Sequence, residues 1–409
     1  MLSAGFSSSE ESESSDIIII NTCGFIRDAR EESIDVIMDA ALHSDAASGP
    51  DSCSGKKIVV MGCLAGRYFN ELARELTEAD FIYGLFDKDF ISSMCSTLGI
   101  DLSVIQRDGR SPLTPGLPYS YIKISEGCSN NCSYCAIPLI RGPRRSFSPE
   151  YIMNDARSAV AMGAKELIVV AQDSAAYSFD SYVISDILDM LSKIEGVEWI
   201  RLMYCHPDNI TARLINTLAE NGKVLKYLDI PFQHASGRIL SEMNRHGDSG
   251  KYLSLIERLR SKVPGIRIRS TFMVGYPGET GSDFDELLSF VKQAGIDRAG
   301  VFMFSPEEGT SAYAKKGRVP GRVMRARYAE LMELLKNISE SRLEAMIGSE
   351  VLVLIEEKID EDMWAGRSEY DAPEVDGIFF LTSGRVTVNS IVRAKITGSS
   401  EYDLYGELS

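Results

Sequence analysis

The sequence has no apolar run long enough to cross a membrane. Its longest, IIII at 17–20 and LIVV at 167–170, have the length of buried strands, far short of the eighteen or so residues a transmembrane helix needs. No basic, then apolar, then small-residue signal opens the chain, so a cytoplasmic protein is expected. Cysteine is scarce: 8 in 409 residues, too few for a disulfide scaffold. Positive charge is short as well, with 43 Lys and Arg against 59 Asp and Glu and a formal net charge of −16. That balance argues against broad contact with a nucleic-acid backbone, which relies on Lys and Arg, and favours a basic partner. What is present, 44% hydrophobic and 25% charged residues, describes a globular chain with room for two or three domains.

Residues 1–16, MLSAGFSSSEESESSD, are Ser- and Glu-rich and read as a disordered tail. Strand alternates with helix after that. IIIINTC (17–23) precedes a helical pattern over Asp28–Leu42, KKIVVMGC (56–63) precedes YFNELARELTEAD (68–80), and FIYGLF (81–86) precedes DFISSMCSTLG. This alternation predicts a doubly wound parallel sheet. SDAASGPDSCSG (44–55) reads as a loop, and the Pro- and Gly-rich RDGRSPLTPGLP (107–118) as the linker that closes the first domain.

Six further strands are expected at 121–128, 166–174, 198–207, 227–236, 267–279 and 298–309, with helical segments between them. Six such units are too few for a closed eight-stranded barrel, so an open (βα)6 barrel is predicted. The polar endings EGC, AQDS, CHP, QHAS, GYPGE and SPEEG fall at the carboxyl ends of these strands, where active sites lie in such folds. After a helical stretch at 320–347, VLVLIEE, GIFFLT and SIVRAKITGS alternate as strands of a small antiparallel β-barrel. This last segment carries about 13 acidic against 5 basic side chains, roughly −8. The expected domains are 1–106, 118–345 and 346–409, and the fold class is α/β throughout the first two.

Three of the eight cysteines crowd into EGCSNNCSYC (126–135), at a C-x3-C-x2-C spacing. Structural zinc wants four closed ligands, and no Cys or His follows at a useful distance. Chance burial fits poorly with so polar a stretch. A [4Fe–4S] cluster held by Cys128, Cys132 and Cys135 leaves one iron open for a substrate or cofactor, which explains the missing fourth ligand. An open iron can bind the amino and carboxylate groups of S-adenosylmethionine and reduce its sulfonium, giving a 5′-deoxyadenosyl radical; the cofactor carries the hard chemistry. A cluster serving only electron transfer usually has four protein thiolates, and six polar strand ends are excessive for that role.

The motif after a first barrel strand, with aromatic Tyr134 before its last cysteine, resembles the radical S-adenosylmethionine superfamily. NTCGFI (21–26), GCLAGRY (62–68), EGCSNNCSYCAIPLIRGP (126–143), VAQDS (170–174), GYPGET (275–280) and EYDAPEVDG (369–377) together resemble the methylthiotransferases of the RimO type, from about residue 16 to the end. The resemblance implies an N-terminal methylthiotransferase domain, a radical barrel and a C-terminal TRAM barrel. It implies two [4Fe–4S] clusters and S-adenosylmethionine as cofactors, and an electron donor such as a flavodoxin or ferredoxin. Cys23 and Cys63 match two of the three ligands of the second cluster, and both end strands of the first sheet. The third belongs to an LGC-type motif that would lie upstream of a segment similar to MLSAGF, so Met1 reads as an internal methionine; Cys53, in the 44–55 loop, is the stand-in this chain offers. Phe147 stands where the family usually has Arg.

The implied reaction turns C–H into C–S–CH3 at the β-carbon of an aspartate in small-subunit ribosomal protein twelve. The neighbouring branch of the family modifies isopentenyl-adenosine in tRNA beside the anticodon. A TRAM barrel gripping tRNA should be basic, and an acidic one suits a basic ribosomal protein, so nucleic acid is not expected as the substrate. Gln172 and Asp173, at the second barrel strand's end, occupy positions from which the superfamily often contacts the cofactor's amino group. Gly275, Pro277 and Gly278 lie where its backbone approaches the adenine, although GYPGE is equally a tight strand-to-helix turn. His206 and His234 also end strands, where a satisfied, non-catalytic histidine is as good a reading. Trp364 reads as barrel core.

Overall fold

The computed structural model describes residues 6, 7, 9, 15–46, 56–87, 89–101, 117–382, 384 and 386–409. Most of the expected N-terminal tail and of the 107–118 linker, and Cys53, lie outside the described residues. The chain forms two compact units. The first comprises 1–111 with 127–143 and 305–313; the second comprises 112–126, 144–304 and 314–409.

In the first unit, β1 (Ile17–Thr22), β2 (Lys57–Gly62) and β3 (Phe81–Ile82) form a parallel sheet in that order, joined by α1 (Arg27–Ala46), α2 (Cys63–Arg67) and α3 (Phe69–Glu75) and followed by α4 (Phe90–Leu98). The period-two alternation of KIVVMG sends Ile58 and Val60 to one face, with Ile20, Ile37 and Leu76, and Val59 and Met61 to the other, with Phe90 and Met94. Helices therefore cover both faces, as a doubly wound sheet requires. The expected third strand, 81–86, shortens to two residues, and the expected helix at 68–80 ends at Glu75.

The second unit begins with β4 (Tyr119–Lys123) and β5 (Ser125–Glu126). The loop 127–143, which carries α5 (Ile137–Arg141), belongs to the first unit, and the chain returns through β6 (Arg145–Ser146), antiparallel to β5. Then follow α6 (Pro149–Ala161), β7 (Glu166–Val170), a small β8–β9 ribbon (Ser178–Phe179, Tyr182–Val183), α7 (Ile184–Leu191), β10 (Trp199–Leu202), α8 (Ala212–Glu220), β11 (Val224–Asp229), α9 (Gly237–Glu242), α10 (Ser249–Lys262), β12 (Arg267–Val274), α11 (Gly281–Ala294) and β13 (Arg298–Met303). All six expected strands pair in parallel, in the order β13-β12-β11-β10-β7-β4. Each is shorter than its pattern, because the polar carboxyl-terminal residues leave the sheet as loops.

Alternate strand residues divide the two faces. Leu167, Val169, Ile200, Leu202, Ile268 and Phe272 are fully buried, and Phe272 meets Phe290 of α11 edge-on. On the opposite face Tyr119, Ile168, Trp199, Met203 and Tyr227 pack against Leu354 and Ala372 from the end of the chain. That end follows α12 (Gly321–Glu344) and is a closed barrel of β14 (Glu350–Asp360), β15 (Met363–Ser368), β16 (Phe379–Thr382), β17 (Ile391–Ser399) and β18 (Leu404–Leu408). Trp364 lies in its core, as expected, with Val353, Ile355, Phe379 and Ile396. β15 and β18 were not expected as strands: MWAGRS and LYGEL are short and hold Gly at the crowded positions Gly366 and Gly406, where a Cβ would sit 2.2 and 2.5 Å from backbone oxygens.

The two barrels share a buried ionic layer. Glu166 accepts from Arg201 Nε and Arg367 Nη2, both at 2.6 Å, and Arg298 donates to Asp371 at 2.8 Å. Tyr227 donates to Asp376 at 2.6 Å. Burial alone would raise the Glu166 carboxyl, but the two guanidiniums outweigh it and hold it below its ordinary range. No helix among the described residues is long and apolar enough to cross a membrane.

Candidate active site

The first unit holds both groups of cysteines. Thr22 ties the first two strand ends together, donating to Met61 O at 2.7 Å and accepting from Ala65 N at 3.4 Å. Cys23 follows β1 and is exposed, and its N–H donates to Ser33 Oγ at 3.0 Å. Cys63 opens α2 directly after β2. Gly24 has no room for a side chain, since a Cβ there would lie 2.6 Å from the carbonyl carbon and oxygen of Cys63. The NTCG and GC turns are thus in backbone contact.

Cys128, Cys132 and Cys135 share one loop. Gly127 (φ +78) makes it possible: a Cβ would stand 2.5 Å from the carbonyl oxygens of Gly142 and Pro143, and Cys128 N donates to Gly142 O at 3.1 Å. Cys135 N donates to Cys132 O at 3.1 Å, closing a turn that holds half-buried Tyr134, and Ala312 N donates to Ser133 O at 2.8 Å. From the helix after this loop, Arg141 Nη2 reaches Cys63 Sγ at 3.1 Å. The loop with three cysteines and the end of β2 therefore meet through a guanidinium. The donor set is chemically right for iron–sulfur ligation, being three thiols on one loop closed by tight backbone bonds. Among the described residues no trio of Cys, His, Asp or Glu is gathered as for a single metal ion; a four-iron cube spaces its thiolates more widely than one ion does.

Sequence reasoning passed over three charged members of this unit, although each lies inside a quoted motif. Arg67, of GCLAGRY, donates to Gly24 O at 2.9 Å, Glu307 Oε2 at 2.8 Å and Glu308 O at 2.8 Å. Arg30 pairs with the same carboxylate, and Glu307, of SPEEG, is 2% exposed. These bonds fix the 305–313 segment to the two turns that carry Cys23 and Cys63. Arg141 is the third.

In the second unit the other expected site residues end barrel strands. Gln172 follows β7, and among the described residues its buried Oε1 has no hydrogen-bond partner; nor do Ser125 Oγ, at β5, and Ser174 Oγ. Three orphaned polar atoms at the carboxyl ends of neighbouring strands suit a polar ligand, S-adenosylmethionine included. Asp173 instead serves the next loop, accepting from His206 N at 3.2 Å and Asn209 Nδ2 at 2.7 Å. Gly275 (φ +80) and Tyr276 both donate to Glu279 Oε2, at 2.6 and 3.2 Å, and Pro277 is buried. GYPGE is thus a turn closed on its own glutamate, which Arg327 pairs at 2.6 Å; Gly278 donates to Gly317 O at 2.8 Å.

His206 and His234 each accept the backbone N–H two residues on through Nδ1, at 3.3 and 3.0 Å. Burial, reinforced by Arg245 and His246, pushes His206 down to about 3; burial, outweighing Asp283 and helped by Arg327 and Arg238, pushes His234 down to about 4. Both are neutral at physiological pH and cap turns. Phe147, the departure from the family pattern, packs on Tyr151 and accepts from Tyr177 Oη at 2.7 Å. Two non-glycine residues that follow strands, Tyr204 (φ +58) and Gln233 (φ +71), hold left-handed backbone that their residue types do not announce.

Family models match at three places: the radical SAM superfamily over 122–291, the TRAM domain over 347–408, and an uncharacterised protein family, UPF0004, over 1–84. Together with the cysteine loop and the parallel six-stranded sheet, these define a radical S-adenosylmethionine protein with a TRAM module. Among solved structures, the cobalamin- and [4Fe–4S]-bound radical S-adenosylmethionine methyltransferase TsrM of Kitasatospora setae shares the fold at 13% identity, with a TM-score of 0.53 over 73% of this chain and 65% of that one. Curated relatives run nearly end to end. Proteins named ribosomal protein uS12 methylthiotransferase RimO are 40% identical in Desulforamulus reducens (99% of this chain, 93% of that one), 42% in Clostridium kluyveri (96% and 89%) and 41% in Geobacter sulfurreducens (96% and 90%). The chain belongs to the RimO family.

Proposed function

We infer that the protein is a radical S-adenosylmethionine methylthiotransferase that places a methylthio group on the β-carbon of an aspartate in ribosomal protein uS12. The observation that carries this reading is the near end-to-end match to RimO proteins, in a chain that holds the cysteine motif. Cys128, Cys132 and Cys135 hold the radical cluster, and Cys23 and Cys63 supply two ligands to a second. When bound, the cluster and S-adenosylmethionine supply the means of taking a hydrogen atom from an unactivated carbon. Gln172 offers its orphaned oxygen to that cofactor, Tyr134 belongs to the cluster loop, and the Gly275–Pro277 turn offers rigid backbone to the cofactor. Asp173 holds the loop that follows β10. Arg141, between the cysteine groups, fixes the register of one against the other.

The domain assignment that goes with this reading is 1–106, 118–345 and 346–409. An electron donor such as a flavodoxin or ferredoxin completes the system, and the cytoplasm is its place. The alternative substrate, tRNA, is disfavoured by charge. The β14–β15 hairpin tip exposes Glu357, Asp360, Glu361 and Asp362 beside one lysine, and Arg367 is buried on Glu166. That surface repels phosphate and suits a basic protein. A competition assay tests the choice: reconstituted protein is offered uS12 and an isopentenyl-adenosine anticodon stem-loop together. Methylthiolation of uS12 alone is expected; modification of the RNA alone overturns the reading.

A further inference from the structure

The sheet face that looks away from the helices is rich in charge, and its acids are paired. Glu166 lies between Arg201 and Arg367, Asp229 against Arg269 (3.4 Å), Asp371 against Arg298, and Asp376 against Arg269 and the Tyr227 hydroxyl. Glu374 is the exception. It belongs to the EYDAPEVDG loop, which the terminal barrel lays across this face. The loop is closed by Ala372 N donating to Asp376 Oδ2 (2.9 Å) and Asp376 N donating to Ala372 O (3.3 Å), with Ala372 and Pro373 buried. Glu374 stands at its apex, exposed to solvent. Its carboxylate lies 3.4 Å from the Tyr119 hydroxyl, and among the described residues no cationic side chain pairs with it.

Two features show that the side chain is held there at a cost. Its φ of +67 is a conformation that glycine or asparagine adopts with ease and glutamate does not. Its neighbours are phenols rather than cations. Burial first, with the charge of Glu374 adding to it, pushes Tyr119 up to about 12 and raises Tyr121 and Tyr204. The hydroxyls stay protonated and can donate to the carboxylate without neutralising it. Tyr204 (43% exposed) and Phe302 (52% exposed) leave open apolar surface at the strand ends of the same sheet. A solvent-facing, phenol-flanked carboxylate at this position lacks only a cation.

We propose that Glu374 is a specificity-determining residue that receives a lysine or arginine side chain of the protein substrate on the open face of the barrel. The inference rests on the reading of the substrate as a basic ribosomal protein. It assigns to the terminal barrel a direct part in reading the polypeptide around the modified aspartate, through one carboxylate on one strained turn.

The test uses the full-length reconstituted protein with uS12 and three variants. Glu374→Gln removes the charge and keeps the shape. Glu374→Gly removes the charge and relieves the backbone, so a folding defect in the first variant is recognised by its absence in the second. Both should raise KM for uS12 about tenfold to a hundredfold, the worth of a charge-assisted hydrogen bond, with kcat changing far less. Glu374→Arg should be rescued by uS12 in which one Lys or Arg near the target aspartate is changed to Glu. The proposal is overturned if KM is unchanged in Gln and Gly variants, if kcat falls instead of KM rising, or if Gly restores what Gln loses, which would make the effect conformational. Wild-type protein that never modifies uS12 refutes the substrate reading and this inference with it; wild-type turnover with an indifferent Glu374 refutes the inference alone.

Discussion

Glu166→Gln perturbs the layer between the six-stranded sheet and the terminal barrel at its centre. The Glu166 side chain is 0% exposed and bridges Arg201, also 0% exposed, and Arg367, 4% exposed. Glutamine keeps the volume and one acceptor but leaves Arg201 without a counter-charge; Arg367 retains Glu356 at 2.7 Å. Removing one partner of a buried pair costs about 3–5 kcal/mol, far more than the pair adds over an apolar replacement. For a unit of this size that is roughly 6–20 °C in Tm. Urea unfolding should show a lower midpoint with an unchanged slope. The folded carboxyl lies below its ordinary 4.5, so the stabilisation is fully present above that pH and fades as the pH falls through the lower folded value. The gap between wild type and variant should therefore close under acid. Glu166→Leu/Arg201→Met, which removes both charges, should recover part of the loss. A cost below about 1 kcal/mol, the worth of an exposed pair, would refute the view that this layer joins the two elements.

Three further outcomes follow from the same structure. Gly24→Ala forces a methyl group onto the Cys63 carbonyl, 2.6 Å away, and should destabilise the first unit by about 1–3 kcal/mol, read by limited proteolysis of that unit. His234, held at about 4 in the fold against 6.5 outside it, adds stability that is whole above pH 6.5 and is lost as the pH falls from 6.5 towards 4. His234→Gln should flatten the stability curve across that window by on the order of 3 kcal/mol, measured by urea titrations at each pH. After anaerobic reconstitution, Cys128→Ala/Cys132→Ala/Cys135→Ala should carry about four fewer irons per chain than wild type, read by iron and sulfide analysis; an unchanged count would contradict the assignment of the loop.

Much of the architecture was legible because its punctuation is chemical. Each of the six barrel strands is soon followed by Gly, Pro, His or carboxylate residues, and in the structure those residues lie outside the parallel sheet. The two faces of the first sheet follow from Ile58 to Met61 in simple alternation. What escaped had no local signature. Arg67 and Glu307 are 240 positions apart, so nothing in either motif announces the pair. The transfer of 127–143 and 305–313 to the first unit depends on such distant bonds. β15 and β18 are too short and glycine-bearing to show a period. Glu374 and Tyr204 adopt left-handed backbone with residue types that give no warning of it, and their importance shows only beside Tyr119 and Asp229.

The central claim is that the cysteine loop drives methylthiolation of a protein. Its most direct test incubates reconstituted wild-type protein and Cys128→Ala with uS12, S-adenosylmethionine, sulfide and a low-potential reductant, and analyses uS12 by mass spectrometry. The account predicts a methylthio group in place of one hydrogen on an aspartate with the wild type, and unmodified uS12 with the variant. Unmodified uS12 from a cluster-loaded wild type, or equal product from both proteins, would contradict it.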